Sequence, residues 1–301
     1  MPLPPSPRYF PPGRGRYTTT PDLRPLLVPG ENGAIDTHLF QLTDDFPRFR
    51  ENTLAARRQW PGRHVLFDDF DPITAAAVCE RIVAQLIAES PEWFVRDGDT
   101  LHCRLTDERL HFDADYRLRT PSPYNNLFDA LAAQVSEDLV VVRRSKARGD
   151  WNAALHVCAP SHWAPEEKVG RDYRATHAPV PGVERSRAAA PVLVQTMVTR
   201  GPFVRFTWGI AFDDRLNCHP ALPKTVFDGE NVWLRVERQV LWPLPPVDAA
   251  LFAIRLYLTD ARTLGADDRA ALRQALLSMS DESRRYKGLE SSFDAVLAAL
   301  S

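Results

Sequence analysis

A chain of 301 residues, 44% hydrophobic and 25% charged, suits one large domain or two small ones and has enough apolar material for a sizeable core. Its formal net charge of -2, with no long lysine/arginine run, excludes electrostatic capture of nucleic acid. Four distant cysteines (Cys79, Cys103, Cys158 and Cys218) with no CxxC pair exclude a zinc-finger spacing and a dense disulfide framework; they read as buried reduced thiols.

In chain order, the amino terminus lacks the apolar core of a signal peptide, and no apolar run reaches the length of a membrane span, so a soluble cytoplasmic protein is expected. Residues 1–33, rich in Pro, Gly and Arg, read as an extended arm that composition alone makes mobile. Residues 34–301 read as one α+β domain. Asp71 predicts an N-cap with Pro72 in the first turn, and Ile73, Ala77, Val83, Leu86 and Ile87 supply an apolar helix face through about Ala88. Residues 93–95 and 101–103, flanking Asp97 and Gly98, predict a hairpin. Ser122 and Pro123 repeat the cap-plus-proline start. Leu127, Leu131, Val135 and Leu139, four residues apart, then predict a second helix whose end Asp138 caps or orients.

Beyond it the period changes. Residues 151–158, 203–212, 231–241 and 249–258 read as strands, and with no helix of crossover length between them an antiparallel sheet is expected. Two helices, roughly 266–279 and 281–300, close the chain. There is no internal repeat and no phosphate-binding loop, because Gly13 and Gly15 have no strand before them.

The chemistry concentrates in three places. Residues 158–170 and 176–182 are punctuated by Pro160, Pro165, Pro179 and Pro181, which predict a stiff, extended backbone around His177. That frame suits a metal ligand, with a backbone carbonyl fixing the tautomer; it also reads as a structural crossing in which His177 only hydrogen-bonds. Of the eight histidines none forms HxxxH or HExxH, which argues against a zinc hydrolase. In the strand 203–212, Val204, Phe206, Trp208, Ile210 and Phe212 make an apolar side. Arg205, Thr207, Gly209 and Ala211 make a side with room for something flat and bulky; a surface strand with a solvated arginine is the plainer reading. In the next strand Trp233, Arg235, Glu237 and Gln239 share a face. Glu237, between Arg235 and Arg238, reads either as a sheet salt bridge or as the counter-charge of a small protonated amine.

These segments, with residues 136–139 upstream and 233–239 downstream, run in order from about Pro123 to Thr259 and resemble the haem-dependent oxidative N-demethylase family. The resemblance implies a PAS-like antiparallel sheet with flanking helices, an arm packed on the domain, and a haem b. It implies His177, in a His-x-Pro-Val-Pro motif, as the axial iron ligand, with His156 and His219 in reserve. Arg205, Thr207, Arg235 and Trp163 become cofactor contacts, Trp163 as a packing anchor rather than a redox relay, and Arg205 and Glu237 become catalytic residues. The implied reaction uses O2 to demethylate a small secondary amine such as dimethylamine, giving a primary amine and formaldehyde. Since the chain carries no flavin or NAD signature, electrons are expected from a separate flavin/iron–sulfur reductase. Three positions depart from the family pattern: His162 replaces an arginine, Thr207 an asparagine and Val240 a threonine. They keep open a haem-binding sensor or storage protein without turnover, and a haem-free structural homologue.

Overall fold

The computed structural model describes residues 2–301 and has an α+β architecture. The strands are β1 (Arg24–Pro25), β2 (Val65–Phe67), β3 (Phe94–Asp97), β4 (Thr100–Cys103), β5 (Glu108–His111), β6 (Asp138–Ser145), β7 (Gly149–His156), β8 (Phe203–Ala211), β9 (Trp233–Leu244) and β10 (Ala249–Asp260). The helices are α1 (Phe46–Gln59), α2 (Pro61–His64), α3 (Pro72–Glu89), α4 (Leu127–Ala132), α5 (Tyr173–Thr176), α6 (Glu184–Ala188), α7 (Ala190–Thr199), α8 (Ala266–Leu277), α9 (Asp281–Tyr286) and α10 (Phe293–Ala299). Seven strands form one antiparallel sheet, ordered β1-β8-β9-β10-β6-β7-β2, and β3, β4 and β5 form a separate meander. Among the described residues no helix is long and apolar enough to cross a membrane.

Period-two alternation divides this sheet into two chemically different faces. One face is core. Leu139 and Val141 of β6, Val204 of β8, Val240 of β9 and Leu251 and Ala253 of β10 pack with Val78, Ile82, Val83 and Leu86 of α3 and with Phe128 and Leu131 of α4. Further along the same face, Trp208, Ile210, Leu234 and Val236 meet Leu272, Leu276 and Val296 of the C-terminal helices. The other face carries the residues with chemistry.

Asp71 caps α3 as expected, accepting the amides of Ile73 and Thr74 at 3.0 Å. The buried face is rotated from the expected one, however: Ile73 is 75% exposed, and Val78, Cys79 and Ile82 fill the core beside Val83 and Leu86. The second expected helix ends at Ala132, capped by the Asn126 side chain, which accepts the Asp129 amide. Leu139 instead opens a β-branched run, Val140–Val142, that pairs with β7 and β10. Asp138 therefore caps no helix; it starts β6, and its buried carboxylate accepts the amides of Cys158 and Ala159. The expected helix 281–300 is broken at Gly288, which has φ 70°. Its amide reaches the Arg285 carbonyl and the Leu289 amide reaches that of Arg284, a Schellman ending, before α10 begins. The strand order also spans α7, a helix the sequence pattern did not announce.

The arm is pinned to the fold. Arg24 and Pro25 pair with Val204 and Phe203, the Tyr17 amide donates to Ser278 Oγ at 2.8 Å, and Thr19 Oγ1 donates to the Gly182 carbonyl.

Candidate cofactor cavity

On the non-core face of the sheet lies a cavity of about 510 Å³, inside the range of roughly 300–1,000 Å³ common for small-molecule and cofactor sites. Its floor is β8, β9, β10 and β6: Arg205, Thr207, Gly209 and Ala211, then Glu237 and Gln239, with Val140, Val142, Phe252 and Ile254 as apolar flooring. Gly209 and Ala211 keep that floor low, as the alternation in β8 implied. The segment carrying α5 to α7 covers it, and Tyr17, Thr18, Thr19, Pro21 and Leu23 of the arm close one side.

His177 lines this cavity, in the C-cap position of α5. The Tyr173 carbonyl accepts both its backbone amide (3.1 Å) and its ring Nδ1–H (2.8 Å). Because a carbonyl can only accept, Nδ1 carries the proton and Nε2 keeps its lone pair. Burial lowers the imidazole pKa, with Arg205, Lys168 and Arg187 adding to the effect against the Tyr173 hydrogen bond, so the ring stays neutral. The Tyr173 ring stacks on it at 4.1 Å between centroids.

The expected extended proline frame is not what fixes this ring. His177 ends a helical turn, and the prolines follow in a tight turn closed by the Val180 amide on the His177 carbonyl. Rigidity comes from beneath. Asp172 caps α5, Asp150 Oδ2 accepts the Tyr173 amide, and Lys168 Nζ donates to the Thr176 carbonyl at 2.6 Å. Asn152 Nδ2 donates both to the Lys168 carbonyl (3.0 Å) and to Thr176 Oγ1 (2.9 Å). Only the i, i+4 spacing of Tyr173 and His177 signalled any of this in the sequence. Replacing Asn152 with alanine removes both bonds and is expected to cost about 1–3 kcal/mol, read as a lower urea midpoint at unchanged m-value.

Two histidines line the cavity, His177 and His162. His162 sits at φ 64°, and burial together with Arg235 and Lys224 lowers its pKa to about 4, so it too is a neutral imidazole. His156 and His219 are not cavity residues. His156 Nε2 lies 3.3 Å from the buried Asp129 carboxylate, and His219 Nε2 donates to Glu166 Oε2 at 3.0 Å. Among the described residues no three His, Cys, Asp or Glu side chains converge on one point. The donor set is thus two separate neutral imidazoles, of which His177 has its Nδ1 proton fixed by a carbonyl; this suits a single axial bond on a macrocyclic iron better than a protein-built metal cluster.

Among the described residues Glu237 has no ion-pair partner. Its Oε2 accepts from Thr207 Oγ1 (3.2 Å) and Gln239 Nε2 (2.7 Å), leaving Oε1 open. The sheet salt bridge weighed from the sequence is absent because both arginines are committed elsewhere. Arg235 donates to Ser161 Oγ, and to the carbonyls of Ala159, Arg215 and Leu216, fastening two loops at the cavity edge. Arg238, on the opposite face, donates to the carbonyls of Asp36 and His38. Trp163 packs beside Val140, Val142 and Leu155 while lining the cavity.

Among the described residues, two half-buried cavity cations, Arg205 and Lys287, have no hydrogen-bonding partner; nor has Lys224, which is exposed. Arg205 makes no hydrogen bond, and its Nε is buried and unsatisfied. Burial pulls its pKa down, opposed by nearby Tyr173, Glu237 and Asp22. Lys287, which no motif flagged, reaches the floor beside Gly209: a Cβ placed on Gly209 would meet its Cδ and Nζ at 3.5 Å. Half-buried cations without a protein partner are placed to bind an anionic ligand. Apolar flooring, a low strip at Gly209 and Ala211, a free Nε2 and two unpaired cations fit haem, a flat macrocycle with two carboxylates. A family model described as haem-dependent oxidative N-demethylase, alpha subunit-like, matches residues 38–297.

Proposed function

The chain belongs to the haem-dependent oxidative N-demethylase alpha subunit-like family, and from this premise we propose that its cavity holds haem b on His177 and demethylates a small secondary amine of the dimethylamine kind. The observation carrying this reading is the Tyr173 carbonyl, which accepts from Nδ1–H, holding the proton there, and leaves Nε2 of His177 free in a cavity with a small-residue floor. An antiparallel sheet with a cavity on one face also supports reading the fold as PAS-like.

Bound haem would supply the O2 activation by which one oxygen atom enters an N-methyl C–H bond, giving formaldehyde and the primary amine, while two electrons and two protons carry the other atom to water. The rest falls to this chain's own residues. Glu237 meets the protonated amine through its open Oε1, with Thr207 and Gln239 fixing the carboxylate through Oε2. Arg205, free of internal partners, directs its donors at negative charge in the cavity. Val140, Val142, Phe252 and Ile254 keep the reacting methyl group in apolar surroundings. The alpha-subunit description implies a partner subunit; we read that partner as the flavin/iron–sulfur reductase that delivers the electrons.

The test is an absorption spectrum of haem-supplemented protein before and after dithionite and carbon monoxide, followed by a formaldehyde assay with dimethylamine and an electron donor. A Soret band with formaldehyde release is expected. Glu237→Gln should raise the KM for the amine about ten- to hundredfold, the worth of one charge-assisted bond, with the haem spectrum unchanged. A Soret band without formaldehyde from any small methylamine would mean a haem binder without turnover. Absence of a Soret band would overturn the haem reading altogether.

A further inference from the structure

Lys287 owes its position to the end of α9. It is the residue before Gly288 in the Schellman turn, and Leu289, 1% exposed, pins that turn into the core formed with β8 and β9. The side chain is therefore aimed by the backbone rather than by a partner of its own. Among the described residues it has no hydrogen-bond or ion-pair partner; its aromatic neighbour is Tyr286, whose ring centre is 5.8 Å from Nζ. Burial lowers its pKa, and the attraction of Glu237 opposes this without closing to an ion pair. On β8, Arg205 and Gly209 stand two residues either side of Thr207, the residue bonded to Glu237. Along one strand the cavity thus presents the free Arg205 cation, then the Glu237 carboxylate, then the free Lys287 cation at Gly209.

We propose that Lys287 is a carboxylate-binding residue of this cavity. The inference rests on the haem reading above and extends it. The carboxylate has two sources: a haem propionate, or a substrate bearing its own, in which case the substrate class is an N-methylated amino acid with its ammonium on Glu237 and its carboxylate on Lys287. Gly209 lies against this lysine, where an added Cβ would stand at 3.5 Å from Cδ and Nζ, an ordinary contact.

Two titrations on the wild type, Lys287→Gln and Lys287→Arg test it. In the first, apoprotein takes up haem or haem dimethyl ester, followed at the Soret band. If the propionate is the ligand, wild type binds haem about tenfold or more tighter than the diester; the gap closes in Lys287→Gln and survives in Lys287→Arg. In the second, haem-loaded protein is titrated with dimethylamine and with N-methylglycine. If the substrate carboxylate is the ligand, Lys287→Gln loses about tenfold in N-methylglycine affinity, keeps dimethylamine affinity, and leaves the haem–diester gap untouched. Lys287→Gln matching wild type in both titrations would overturn the proposal while the haem reading stands. A wild type that takes up no haem would overturn that reading, and this one with it. The arginine variant separates loss of charge from loss of fold.

Discussion

Haem-loaded His177→Ala is expected to lose the ferrous Soret position of an imidazole-ligated iron, and added imidazole should restore it. Removing groups that merely orient a metal ligand costs about 10–100-fold in affinity, so deleting the ligand itself should weaken haem uptake about 100-fold or more. The same logic grades the neighbours. Lys168→Met frees the Thr176 carbonyl, loosens the turn that carries His177, and should cost about tenfold. His156→Ala and His219→Ala should leave the spectrum in place, because those rings serve Asp129 and Glu166 outside the cavity. His162 is the informative control, being the other neutral imidazole on the wall. If His162→Ala abolishes the ligated spectrum while His177→Ala keeps it, the axial assignment to His177 fails.

What was legible in the sequence follows from how many constraints act on a residue. The floor of the cavity was readable from β8, because alternation of period two assigns Arg205, Thr207, Gly209 and Ala211 to one face whatever the strand pairs with. The same rule separates Glu237 from Arg238: adjacent strand residues point to opposite faces, so a salt bridge between them had no geometric basis. The four-residue spacing that ends at Leu139 misled because every fourth residue of a strand also lies on one face. The β-branched run at Val140–Val142 was the better guide there. His177 could be singled out from its setting, but its support from Asn152 and Lys168 comes from residues 25 and 9 positions upstream, joined only by the fold. Lys287 was invisible for a simpler reason. It reaches the cavity by the break at Gly288, and a pattern read as one continuous helix conceals that break.

Arg255→Leu is expected to destabilise the protein by about 3–5 kcal/mol, the usual cost of removing one partner from a buried ion network. Arg255 is fully buried on the core face of β10, directly across from Arg238 on β9. Its Nη2 donates to Thr43 Oγ1 (2.9 Å) and Asp45 Oδ1 (2.6 Å), and its guanidinium lies 4.0 Å from the Phe49 ring centre. Two buried cations side by side persist because Glu137 is buried with them; one of its oxygens accepts the Gln41 amide and the other has no hydrogen bond. Burial raises the Glu137 pKa, and Arg255 and Arg238 oppose that rise. Without Arg255 the rise goes further. The folded state then holds a proton that the unfolded state has released, so stability falls with increasing pH above the unfolded carboxylate value near 4.3. The variant's deficit in guanidinium unfolding should accordingly be larger at pH 8 than at pH 5.5. Adding Glu137→Gln should recover more than about 0.5 kcal/mol relative to additivity, since the two side chains share one network. A loss under about 1 kcal/mol, flat with pH, would show that the arginine is not what holds these charges in place. This network lies on the core side of β9 and β10, whereas Glu237 lies on the other side, where its Oε2 accepts from Thr207 and Gln239.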